Sequence, residues 1–390
     1  MRILHTADWH LGKTLEGRSR MREQEQLIDE LVSIVEKERI DVVLLAGDAF
    51  DTVNPPAAAE QLFYESLARL SDGGKRPIAV IAGNHDHPDR LTAASVLAAP
   101  HSITLLGLPT AEVQTIYVPS CDETMVLAAL PYPSESRLMQ LLSAESDEQQ
   151  LRKRYDEKVG ELFATMNEKF RSNTVNIAMS HLYVAGGATS DSERPIEVGG
   201  AYTVSPDRFP KDAQYVALGH LHRPQSVKHA RQPARYSGSP LAYSFSEAGY
   251  AKSVTIVDVA PGQLASVSEI PLSSGRALVQ WKATEGMAQV YRWLEEGKDR
   301  NAWIDLEVYV EHSLTLEDIH RLRKLHDGFV YIRPHFSERE ELIWETRENV
   351  PMETLFERFY EKQTGGAKPT AELVQLFMEL LAEEDGGEEQ

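Results

Sequence analysis

A chain of 390 residues with a single cysteine, Cys121, can form no internal disulfide. A reducing compartment, the cytoplasm, is therefore its expected home. Long apolar runs are also missing: nothing approaches the roughly 20 residues that span a bilayer. The opening MRILHTADWH goes straight into a strand-like run without a basic, apolar leader, so a membrane role is not expected. Positive charge is in deficit, with Lys+Arg 40 against Asp+Glu 60 and a net charge of −20, which at first sight argues against a nucleic-acid partner. The distribution softens that exclusion. Residues 271–390 carry −11 and residues 1–270 carry −9, and the chain ends EEDGGEEQ. Residues 213–246, by contrast, contain no Asp or Glu but do contain Arg223, Lys228, Arg231 and Arg235. Residues 13–22 hold Lys13, Arg18, Arg20 and Arg22 against Glu16 alone. Basic clusters are usually solvated loops, but both of these directly follow histidine motifs, and Arg18, Arg20, Arg223, Lys228, Arg231 and Arg235 are their candidates for contact with a nucleic acid.

What is present reads as an α/β protein of two or three domains. Arg2–Thr6 is a short strand, and the apolar runs at Asp41–Ala46 and Pro77–Ala82 have the near-continuous hydrophobicity of strands buried on both faces. Further strands are expected at Ile103–Leu106, Glu112–Val118, Met125–Leu130 and Val175–Met179. Helical periodicity marks Arg20–Arg39, Ala57–Leu70 and a charged stretch from about Asp147 to Phe170. From about Ser273 the order becomes strand, helix, strand, helix, strand, a compact α+β unit. After a connector come two segments separated by GGAKP. One carries Met352, Leu355, Phe356, Phe359 and Tyr360, the other Leu373, Leu376, Phe377, Leu380 and Leu381, both at helical spacing.

The chemistry is concentrated at strand ends. Asp8 and His10 stand in TADWHLG, Asp48 in LLAGDAFD, Asn84 and His85 in IAGNHDH, His181 in NIAMSHL, and His220 and His222 in YVALGHLHRPQ. Each alone has a plainer reading: a satisfied strand-end histidine, or an aspartate forming a turn. Five strand ends with the same grammar are hard to explain that way, because loops beyond the strand ends of an open α/β sheet converge in one crevice. Carboxylates, an amide oxygen and imidazoles without thiolate suit manganese, iron or zinc rather than a structural zinc site. So many candidates exceed what one ion can take but suit two ions sharing a carboxylate, an arrangement that serves in-line displacement at phosphorus.

The series D-x-H, G-D, G-N-H-D, a later H and G-H-x-H resembles the calcineurin-like metallophosphoesterase superfamily. TADWHLGK, GDAFDTVNPP and YSGSPLAYSFSEAGYAKSV narrow the likeness to the nuclease subunits of double-strand-break repair complexes. The resemblance implies a metallophosphoesterase-type layered β-sandwich flanked by helices, with a small α+β capping domain and a C-terminal helix–loop–helix. It implies one metal on Asp8, His10, Asp48 and His222, and a second on Asp48, Asn84, His181 and His220, both most simply Mn2+. His85 matches the family's catalytic histidine that is not a ligand. Asp86 beside it could raise its basicity or simply shape a turn. Asp51 stands where some relatives have a second histidine, which leaves position 51 either a part of the chemistry or a support for the ligands.

By the same resemblance, residues 1–270 would be the nuclease domain, 273–340 the cap that positions DNA, and 350–385 the docking element for an SMC-like ATPase. The implied activity is a two-metal DNA nuclease, a 3'-5' double-strand exonuclease and a single-strand and hairpin endonuclease. It would process DNA ends in repair and recombination as a homodimer within a heterotetramer. The alternative is a metallophosphoesterase acting on nucleotides or small phosphodiesters.

Overall fold

The apolar run Val42–Ala46 forms a strand buried along its whole length in a computed structural model. The structure describes residues 1–134, 138, 148–189, 193, 202–310, 312–336, 351–363 and 368–385. Beside that strand (β2) lies β1, Arg2–Thr6, and the parallel series continues through β3, Ile78–Ile81, and β4, Ile103–Leu106. A second sheet contains β5, Gln114–Val118, β6, Glu123–Leu130, β7, Val175–His181, and β8, Tyr215–Gly219. The short strands β9, Gln225–Ser226, and β10, Ala234–Tyr236, extend it. The first sheet is completed on its other side by β11, Ser253–Asp258, and β12, Ser266–Pro271, so its order is β12-β11-β1-β2-β3-β4. The second sheet has the order β9-β10-β8-β7-β6-β5.

Strand alternation divides the core into three layers. Ile3, Val42, Leu44 and Ile81 meet Leu127, Ile177, Met179 and Ala217 between the sheets. On the outer face of the first sheet Leu4, Val43 and Leu45 receive Leu27, Leu31 and Phe63, which come from α1, Met21–Lys37, and α2, Ala57–Ser71. On the outer face of the second, Leu130, Val216 and Leu218 pack with Tyr155, Val159 and Phe163 of the long charged helix Glu148–Asn167. This is the layered sandwich flanked by helices that the sequence implies.

Two compact units are present: Met1–Trp281 with Gly297–Leu306 and Leu325–Tyr331, and Lys282–Glu296 with Glu307–Lys324 and Ile332–Gln390. Within the second unit, Met352–Gln363 and Ala371–Asp385 are helices. The Phe356 ring stacks on Phe377 at 4.1 Å between ring centres. Met352, Phe359, Leu376 and Met378 of these helices remain exposed. The connector expected after residue 340 and most of the GGAKP breaker lie outside the described residues. No described helix is long and apolar enough to cross a membrane.

Candidate metal centre

Each of the five motifs occupies the C-terminal end of a central strand, and four of their side chains stand on strained backbone. Asp8, His10, Asp48 and His220 have φ of 55°, 45°, 51° and 105°, values that residues with a Cβ rarely adopt. Such strain persists only where the surroundings enforce it, and it clusters at functional sites. Here the loops enforce it by running side by side: Asp8 N donates to Gly47 O and His10 N to Asp48 O, both at 3.0 Å. The Asp8 carboxylate takes the His220 N–H at 3.0 Å, which joins the first sheet to the second. Gly47, at φ 93°, is required twice over, because a Cβ there would meet His181 Nδ1 at 2.2 Å.

The structure brings Asp8, His10, Asp48, Asn84, His85, His181, His220 and His222 into one cluster. All are buried except Asn84, which is half-buried. Asp48 Oδ2 stands 3.4 Å from His181 Nε2 and 3.7 Å from His10 Nε2. On one side His10 Nε2 faces His222 Nε2 at 3.1 Å. On the other, Asn84 Oδ1 lies 2.8 Å from His181 Nε2 and 3.2 Å from His220 Nδ1. The Ala46 carbonyl accepts from His181 Nδ1 at 2.9 Å, so a neutral His181 turns its lone pair toward the oxygens of Asn84 and Asp48.

Where neither atom of such a pair carries a proton, the lone pairs in this buried space repel unless a cation lies among them. That is the arrangement a metal needs, and the donor set of carboxylate, amide oxygen and imidazole fits divalent ions. Three overlapping groups of convergent ligand atoms occur among the described residues: Asp8, His10 and His222; Asp8, Asp48 and His181; His10, Asp51 and His85. The electrostatics agree with that fit. Burial lowers the His10 pKa to about 3, keeping it a neutral donor. Burial also opposes charge at Asp48, but His181 outweighs it and holds the carboxyl well below its ordinary range. At His181 burial is in turn overcome by Asp48 and the imidazole rises to about 9, so that without an ion a proton takes the cation's place beside Asp48 and must leave before His181 can act as a donor.

A calcineurin-like phosphoesterase model matches residues 1–224. The SbcD subunit of the SbcCD nuclease from Bacillus subtilis (strain 168) is 62% identical over 387 residues, 98% of each chain. The SbcD of Rhodobacter capsulatus is 38% identical over 289 residues, covering 70% of this chain and 69% of that one. That of Staphylococcus epidermidis is 34% identical over 278 residues, 71% of each. The chain belongs to the calcineurin-like phosphoesterases, in the SbcD family. It is therefore an enzyme, a metal-dependent phosphoesterase, and its strand-end cluster is the candidate site for the divalent metal.

Within this SbcD-family site, position 51 works through two groups. The Asp51 carbonyl accepts from His85 Nδ1 at 2.6 Å. Its carboxylate takes Lys13 Nζ at 2.8 Å and stands 3.5 Å from His10 Nδ1, a buried atom that makes no hydrogen bond. Asp86 accepts from the main-chain N–H of Gly83, Phe50 and Ala49 at 2.9, 3.0 and 3.2 Å. It thereby staples two ligand-bearing loops together.

The basic residues separate sharply. Arg20 is 1% exposed; its guanidinium pairs with Glu23 and donates to the Ala242 carbonyl. Arg235 is also buried, between Ser226 and Glu269. Arg18 donates to the main-chain carbonyls of Asp327 and Phe329. The guanidinium groups of all three are taken up by partners within the fold. Lys228 and Arg231 are exposed but sit in the turn that precedes β10. Because β10 runs parallel to β8, that turn lies at the end opposite to His220, and these two are withdrawn as contacts at the site. Arg223 alone is exposed and adjacent to a candidate ligand, with its guanidinium 4.8 Å from the centre of the exposed Tyr250 ring.

Sequence reasoning missed Glu247 and Lys252, which are buried behind His222. A carboxylate 25 residues downstream of a histidine carries no spacing signal. Only the stretch SFSEAGYAKS, part of the family likeness, contained them.

Proposed function

We propose that this chain is the two-metal DNA nuclease component of an SbcCD-type complex. It would degrade duplex ends in the 3'-5' direction and cut single strands and hairpins, together with an SMC-like ATPase of the SbcC type. The observation that carries the proposal is Asp48 standing between two groups of ligands, His10 with His222 and His181 with His220 and Asn84. Two divalent ions held there, most simply Mn2+, would supply Lewis acidity and a water of near-neutral pKa. Asp48 is the shared carboxylate, with Asp8 completing the first set. His85 holds its Nε2 4.0 Å from Asp48 Oδ2, close enough to the cluster to exchange a proton with a phosphate ester oxygen.

The outer parts have roles in the same reading. Residues 1–270 carry the chemistry, and residues 273–340 position DNA. Residues 350–385 dock on the ATPase, which is supported by the exposed Met352, Phe359, Leu376 and Met378. The assembly is a homodimer within a heterotetramer, in the cytoplasm.

The test compares Mn2+-dependent degradation of linear duplex and hairpin DNA with hydrolysis of a chromogenic phosphodiester, with and without the ATPase and ATP. Release of nucleotides from 3' ends supports the nuclease. Activity on the small diester alone assigns the chain to nucleotide or small-phosphodiester hydrolysis instead.

A further inference from the structure

We propose that Glu247, itself held by Lys252, is the positioning residue that fixes the His222 ring with Nε2 turned to the metal. The proposal rests on the two-metal reading of the cluster. His222 Nε2 faces His10 Nε2 at 3.1 Å, and its other ring nitrogen, Nδ1, lies 3.4 Å from Glu247 Oε1. Glu247 ends the short turn Phe245–Glu247 and is 1% exposed. Oε1 also accepts from Tyr243 N at 3.2 Å, and Oε2 takes Ser239 Oγ at 3.4 Å and the Lys252 ammonium. Lys252, 9% exposed, donates in addition to Ser239 Oγ at 2.8 Å and to the His222 carbonyl at 3.1 Å. One ammonium thus grips both the carboxylate behind the ring and the main chain that carries the ring.

A carboxylate and an ammonium removed from water are costly even when paired, and apolar residues of the same volume often serve stability as well. Their placement is explained by what they do to His222. An acceptor at Nδ1 selects the tautomer protonated there and leaves the lone pair on Nε2, and a charged acceptor also makes that nitrogen a stronger donor to a metal. His181 has its tautomer set by the neutral Ala46 carbonyl instead. The two ions therefore differ in the support behind their imidazoles, and Glu247 acts on only one of them.

The test is Mn2+ titration by calorimetry of the full chain and of E247Q/K252M, in which charge is removed from both partners so that no unpaired ion is left buried. The expected result is one binding step weakened 10–100-fold and the other unchanged, with a wild-type far-ultraviolet spectrum. A folded double variant with both steps at wild-type affinity, or with both weakened equally, overturns the proposal. Should the double variant fail to fold, long-range ¹H–¹⁵N correlation on the metal-free wild type decides: His222 protonated at Nδ1 supports it, and protonation at Nε2 overturns it. A wild-type chain that takes up no Mn2+ overturns the two-metal reading itself, a failure distinct from wild-type uptake that the variant retains.

Discussion

His85 is joined to Asp48 through its main chain: its N–H donates to Asp48 Oδ1 at 2.9 Å. The ring is held separately, by the Asp51 carbonyl at Nδ1, and its Nε2 stops 4.0 Å short of Asp48 Oδ2. Removing the ring therefore leaves the carboxylate's hydrogen bond intact. His85→Ala is expected to keep both metals and its DNA affinity while losing roughly 10²–10⁴-fold in cleavage rate, the usual contribution of a general acid. Elemental analysis, a binding titration and a single-turnover assay on one preparation check this; metal lost in step with rate would make His85 a ligand.

Asp48→Ala removes the carboxylate that lies between the two ligand groups. Metal content per chain and nuclease activity should fall together, to background. Full activity in this variant would be incompatible with a shared carboxylate.

Gly47→Ala should show that the site depends on backbone room as well as on ligands. The added methyl would press on His181 Nδ1 at a residue already at φ 93°. We expect a lower melting temperature and a loss of metal from the His181 side, read by thermal denaturation and Mn2+ titration.

The basic residues should behave differently from one another. Arg223→Ala should reduce the slope of log affinity against log salt by about one, whereas Lys228→Ala and Arg231→Ala should leave it unchanged. Arg20→Ala takes the cation from the buried Glu23, leaving it only the Arg276 N–H and Trp303 Nε1–H as donors, and should destabilise the fold by about 3 kcal/mol, measured by denaturant titration. Equal slope changes at Arg223 and Arg231 would refute the assignment of the two ends of the sheet.

A chain ending at Asn349 should lose binding to the ATPase partner and keep Mn2+-dependent cleavage, since every candidate ligand precedes Arg223. Co-purification and a nuclease assay decide between this outcome and a purely internal packing role for the C-terminal helices.

The layered sheets and most of the cluster were legible because buried parallel strands announce themselves as apolar runs, and a charged or imidazole side chain just past such a run is conspicuous. Val42–Ala46 followed by Asp48 and Tyr215–Gly219 followed by His220 are of this kind. The strand Ser253–Asp258, which pairs antiparallel with β1, went unread, its opening SVT giving a mixed signal. Burial of Arg20 and Arg235 could not be read either, because it depends on partners: Arg235 is paired with Glu269, 34 positions away, and Arg20 depends also on the Ala242 carbonyl, 222 positions away. The role of Asp86 was undecidable from sequence, since a turn and a staple between loops have the same local signature.

The ligand-bearing strand ends belong to two different sheets: Asp8, Asp48 and Asn84 follow strands of one, while His181 ends and His220 follows strands of the other. Ions bound there would act as rivets through the sandwich and would link metal uptake thermodynamically to folding. At a free-ion concentration a hundredfold above its dissociation constant, each ion adds about 2.7 kcal/mol to the native state. A chelator would then be a mild denaturant of this protein, loosening the seam between its sheets at the same moment that it silences the chemistry.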